Sequence, residues 1–100
     1  MRIGTTPTHL FTVPMDTKEI SSVEITYCQN EKVILQKFTK DCKLQGREIS
    51  VTLSQMDTFK FDKNENVEIQ IRFKDEGGTV YSGDIHTVSC YRCLSNRIIE

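Results

Sequence analysis

The sequence predicts an all-β protein, an antiparallel β-sandwich of about seven short strands with one or two helical turns. Three observations lead there. Residues 66–74 read NVEIQIRFK, so Val67, Ile69, Ile71 and Phe73 fall on one face of an extended segment and Glu68, Gln70, Arg72 and Lys74 on the other. That two-residue period belongs to a strand with one face in a core and one in water; a helix would scatter the same residues around its axis. The period returns at Val23, Ile25 and Tyr27 and at Ile49, Val51 and Leu53, and antiparallel sheets suit such strands because their outer face tolerates solvent. Turn signals separate these runs at intervals of about ten residues, which matches a sandwich or barrel rather than a β-α-β array.

The first strand is residues 8–13, THLFTV, set between Pro7 and Pro14, which lack the amide hydrogen a ladder needs and suit a strand end or an edge. Residues 16–19, DTKE, have the spacing of a capping box and predict a single helical turn before Ile20. Residues 22–28 and 33–39 are the second and third strands, a hairpin closed by the polar turn QNEK at 29–32. A short strand over 41–44 leads to Gln45 and Gly46, and residues 48–53 supply the next strand. Ser54 and Asp57 repeat the capping-box spacing and predict a helical turn that crosses between sheets, with Met56, Phe59 and Phe61 at the end of the core. Residues 62–66, DKNEN, are a charged turn, and 75–78, DEGG, a hairpin turn after the central strand. The return strand runs over 79–82, breaks at Gly83 and Asp84, and continues over 85–90.

One hundred residues provide one core, so residues 1–100 are read as a single domain. Thirteen Lys and Arg balance 14 Asp and Glu without any block of like charge. This argues against a nucleic-acid partner, because phosphate backbones are met by basic stripes. Apolar runs are only a few residues long, and residues 1–14 lack a charged start followed by an apolar stretch, so neither a signal peptide nor a membrane span is expected. In a reducing compartment the four cysteines are then thiols by default.

Cys90 and Cys93 form the one pair at metal or redox spacing, and Cys28, Cys42 or His86 would complete a four-ligand zinc site with them. Structural zinc modules carry a second close pair, whereas Cys28 and Cys42 lie far apart. A thioredoxin-like pair opens a helix beside a βαβ unit, and this one follows a strand. The cysteines are therefore expected to pack as small apolar side chains, with no metal and no cofactor. His9 and His86 fall inside predicted strands without a neighbouring Ser, Cys or acid in a catalytic pattern. Asp62, Asp75 and Glu76 are turn acids, and Gly77 and Gly78 precede neither a phosphate-loop lysine nor a helix. A protein without enzymatic activity is expected.

MRIGTTPTH at 1–9, ITYCQN at 25–30, LSQMDTFKF at 53–61 and VEIQIR at 67–72 together resemble a family of small uncharacterised proteins of Firmicutes bacteriophages and prophages. The resemblance covers nearly all of the chain. The strand after TTPT, the LSQMD corner and the glycine hairpin are also similar to the immunoglobulin-like amino-terminal module of phage upper baseplate proteins. The resemblance implies an immunoglobulin-like sandwich serving as a structural or interaction module of a phage or prophage particle, at its tail or baseplate. It implies as partners other phage structural proteins or further copies of this chain, and as location the bacterial cytoplasm during assembly and then the virion. No catalytic residue transfers with it. Such a module would work by adding an edge strand or a sheet face to a neighbour. Leu94, Ile98 and Ile99 are a second candidate contact, set against packing of the same residues on their own core.

Two other readings compete. One is a small metal or redox protein that uses Cys28, Cys42, Cys90 and Cys93. The other is a prophage-encoded host- or carbohydrate-binding module, which would need Tyr27, Tyr81, Tyr91 or other aromatics gathered on one exposed face.

Overall fold

Val67, Ile69, Ile71 and Phe73 are buried while Glu68, Gln70, Arg72 and Lys74 alternate with them toward solvent, as the two-residue period predicts. The computed structural model describes residues 1–100. Its strands are β1 (Thr8–Thr12), β2 (Ile20–Gln29), β3 (Lys32–Phe38), β4 (Cys42–Gln45), β5 (Glu48–Thr52), β6 (Val67–Asp75), β7 (Val80–Ser82) and β8 (His86–Val88). A single helical turn, α1 (Gln55–Thr58), joins β5 to β6, and 3-10 turns span Thr17–Glu19 and Thr39–Asp41. No helix is long and apolar enough to cross a membrane.

The strands make two antiparallel sheets, β1-β5-β4 and β3-β2-β6-β7, with β8 also paired to β6. β7 meets β6 at residues 72–74 and β8 meets it at 67–69, so the two are one return strand interrupted between them. The break is the one expected at Gly83 and Asp84. The Gly83 N–H donates to the Ile71 carbonyl, and the Gln70 amide donates to the Gly83 carbonyl.

Sixteen apolar side chains from both sheets and the segments between and beyond their strands form one core, in which Ile25, Tyr27, Ile49, Leu53 and Val67 are wholly buried. The all-β sandwich is thus the architecture of the chain. With β1 taken as strand B, the orders β1-β5-β4 and β3-β2-β6-β7 are those of strands B-E-D and C′-C-F-G in an immunoglobulin-like sandwich without a regular strand A. The turn explains the place of β3 beside β2. Asn30 and Glu31 both have positive φ, 49° and 65°, the pattern of a two-residue hairpin turn, so β2 and β3 cannot part into different sheets.

Both predicted capping boxes begin helical turns. Asp16 accepts from the Lys18 N–H, while Ser54 and Asp57 cap each other reciprocally, Ser54 Oγ accepting from the Asp57 N–H and Asp57 Oδ2 from the Ser54 N–H. Phe61 seals the core end as expected, but Met56 is 66 % exposed because the one-turn helix is too short to bury a second face. Beyond β8, Tyr91 forms a parallel bridge to Arg2. The chain then runs on without regular structure, so Leu94, Ile98 and Ile99 are exposed rather than packed as a final strand. Gln55 holds this segment by accepting from the Ile99 N–H at 2.9 Å and donating to its carbonyl at 3.0 Å.

Candidate functional site

Polar side chains meet between the two layers. His9 and Cys42 both stand opposite Val51 in the ladder, so all three point inward from the small sheet. From the other sheet Tyr27 reaches across, and its hydroxyl shares a 2.7 Å hydrogen bond with His9 Nδ1. Lys37, opposite Ile25 on the inner side of β3, places Nζ 2.9 Å from Asp57 Oδ2. Burial holds the Tyr27 phenol well above its ordinary value, helped by the nearby Cys42 and Asp57 charges. Burial likewise raises Cys42, with Asp41 adding to the shift and Lys37 opposing it. Asp57 goes the other way: burial opposes ionisation, but the hydrogen bonds from Ser54 and Lys37 and the lysine charge outweigh it. The cluster therefore keeps Tyr27 and Cys42 protonated and Asp57 ionised at neutral pH. It offers a pinned ion pair and a proton-sharing Tyr–His contact, but no ionised nucleophile.

The sequence reading missed Lys37 and Asp57 as partners, and it missed Gln29. Gln29 is buried, donates to the carbonyls of Asp62 and Glu65 and accepts from the Asp62 N–H, so it braces the 62–66 turn from within. The only sequence signal for the ion pair is Asp57 at the third position of a capping box.

The four cysteines are free thiols in different surroundings. Cys28 points to the outer side of the large sheet, opposite Val33 and Glu68, while Cys42 points into the sandwich from the small one. Cys90 is buried, and Cys93 is exposed with its Sγ beside Gly4. His86 is exposed on β8. No group of three or more His, Cys, Asp or Glu side chains is placed to hold a metal ion. The three tyrosines are dispersed: Tyr27 is wholly buried, Tyr81 stacks on Phe73, and Tyr91 lies under the Arg2 guanidinium.

The outer side of the large sheet is the most distinctive surface. Ladder register arranges it in rows across the strands: Ser22, Lys74 and Val80; then Phe38, Glu24, Arg72 and Ser82; then Gln36, Thr26 and Gln70; then Val33, Cys28, Glu68 and Thr87. Apolar side chains stand along its two borders, with Phe38, Val33, Val80 and Ile85 all between 44 and 58 % exposed. A hollow of about 270 Å³ lies between Phe38 and Val80 over Arg72, Lys74 and Glu24, and a smaller one of about 80 Å³ lies beside Ile85 over Cys28 and Glu68. Arg72 Nη1 is 3.4 Å from Glu24 Oε1, while neither Lys74 nor Glu68 has an ion-pair partner within the chain. Comparison with protein-family models, with curated proteins and with solved structures gives no match, so this surface is interpreted from its own chemistry.

Proposed function

We propose that the chain is a non-enzymatic structural and interaction module of a phage or prophage particle, associated with its tail or baseplate. The observation that carries the interaction role is the outer side of the large sheet, where half-exposed apolar side chains surround a charged floor whose Lys74 and Glu68 have no internal partner. Side chains held on a sheet lose little further freedom on docking, which favours such a face as a contact surface. The particle is suggested by the likeness of residues 1–9, 25–30, 53–61 and 67–72 to small phage proteins. On this reading the chain is made in the bacterial cytoplasm and leaves it in the virion, bound to other structural proteins or to copies of itself.

The test is to induce particles from a host that encodes the chain, purify them on a density gradient and quantify the chain by mass spectrometry. A fixed ratio to the tail proteins is expected. Recovery of the chain only in the particle-free fraction would overturn the assignment.

A further inference from the structure

The hollow between Phe38 and Val80 is a cationic socket with apolar walls. Arg72 is only loosely engaged by Glu24, and Lys74 is unpaired. The acid that would fill it stands on the same strand. Glu68 has no ion-pair partner and lies two same-face steps from Arg72, about 13 Å away at about 3.3 Å per residue. Resting on the interaction role proposed above, we infer that this face binds the same face of a second copy of the chain. The two copies are related by a two-fold axis that runs across the strands through Gln70.

That axis exchanges the rows on either side of Gln70. Glu68 of each copy is laid over Arg72 at the mouth of the other's socket, twice per dimer. The same operation lays Val33 over Phe38 of the second copy, and Ile85, which stands beside Gln70 on the axis row, over its own counterpart. A two-fold contact requires one patch to be complementary to itself, and here charge and apolar matches are satisfied by one operation. On the axis row, the Gln36 amide donates to Thr26 Oγ1 and the Gln70 amide to the Gly83 carbonyl, so each keeps one hydrogen bond within its own copy when the centre closes. An acidic segment of another protein would supply the carboxylate; the second copy supplies in addition the spacing and the apolar counterparts.

Four strands about 4.8 Å apart and about eight residues long present roughly 500 Å² per copy. This is below the roughly 800 Å² of a standard interface, so a weak dimer with a micromolar or higher dissociation constant is expected. The test is sedimentation and light scattering of the full chain from about 1 μM to about 1 mM, at low and high salt. Glu68→Arg and Arg72→Glu are expected each to weaken self-association at least tenfold, because each variant brings like charges together at both contacts. Mixed in equal amounts, the two variants are expected to form a heterodimer at least as tight as the wild type. Thermal melting within a few degrees of wild type shows that each variant is folded. A wild type that stays monomeric over the whole range, or a dimer indifferent to both reversals, would overturn the inference. If such a monomer is nevertheless found in particles, the face serves another partner and the particle assignment survives. A charge-dependent dimer absent from particles keeps the dimer and removes the particle.

Discussion

The Tyr27 hydroxyl and His9 Nδ1 are joined at 2.7 Å across the two layers, and this is the only hydrogen bond the Tyr27 side chain makes. The partners are unequal, since Tyr27 is wholly buried and His9 is partly open to water. Tyr27→Phe keeps the ring and frees a histidine that water can reach, so a loss of about 1 kcal/mol is expected. His9→Ala strands a buried hydroxyl and opens space beside it, for a loss of about 2–3 kcal/mol. Urea denaturation at neutral pH checks the order. Equal losses would mean that water takes the place of the imidazole.

The same histidine makes stability depend on pH. Burial, with the positive amino terminus adding to it, holds the His9 imidazole below its ordinary 6.5. The unfolded chain therefore takes up a proton near that pH that the folded chain refuses. Stability from this source is full above 6.5 and falls as pH drops from there toward the lowered value. Asp57 acts in a more acidic window, since its lowered pKa contributes stability above the ordinary 3.8 that is lost as pH falls through the lowered value. Urea midpoints measured between about pH 7 and pH 5 should decline in the wild type and flatten in His9→Gln. An unchanged slope in that variant would assign the decline to other groups.

Asp57 caps α1 and also neutralises Lys37, so removing it breaks two arrangements together. Asp57→Ala should cost about 2–4 kcal/mol, while Asp57→Asn, which can still accept from the Ser54 N–H, should cost about half as much. Lys37→Met, which removes the cation and leaves the cap, should cost less than Asp57→Ala. Chemical denaturation of the three variants settles the ranking. A Lys37→Met variant as unstable as Asp57→Ala would mean that the ion pair, not the cap, dominates.

Two glycines with similar backbone angles predict different outcomes. Gly4 (φ 82°) has room for a Cβ only 2.9 Å from Phe59 Cζ, while Gly78 (φ 89°) faces open space. Gly78→Ala should cost about 1 kcal/mol of backbone strain alone, and Gly4→Ala should cost about 2 kcal/mol or more as the ring is displaced. Melting temperatures of the two variants make the comparison, and equal shifts would show that Phe59 moves freely.

Thiol reactivity separates the cysteines. Cys93 is exposed, whereas burial raises the Cys90 and Cys42 thiols and so depletes their reactive thiolates. A disulfide reagent added to native protein should react fastest at Cys93, a phase lost in Cys93→Ser, then more slowly at the half-buried Cys28 on the outer sheet face, with Cys42 and Cys90 reacting fully only on unfolding. Fast thiols that disappear on addition of zinc would instead return the cysteines to a metal-binding role.

The strands were readable because their signal is local: Ile69, Ile71 and Phe73 declare a buried face without reference to any other part of the chain. Capping at Ser54 and the turn at Gly78 are legible for the same reason. What could not be read depends on which strands become neighbours. Lys37 lies in a run without clear alternation, and only the register with Ile25 turns it inward to Asp57. Gln29 looks like a turn residue, yet it is buried because the 62–66 turn folds over it. The socket between Phe38 and Val80 joins residues 42 positions apart, brought together by β2 and β6 lying between their strands.

The interruption between β7 and β8 limits how large an association can grow. A ribbon that lengthens by border pairing needs two unbroken borders on every unit, one to receive a neighbour and one to offer to the next. In the large sheet only β3 is continuous, while the opposite border is pinned inward where Gly83 bonds to Ile71 and Gln70. A copy docked along β3 thus presents no matching template to a third, and fibre growth through this sheet terminates at once.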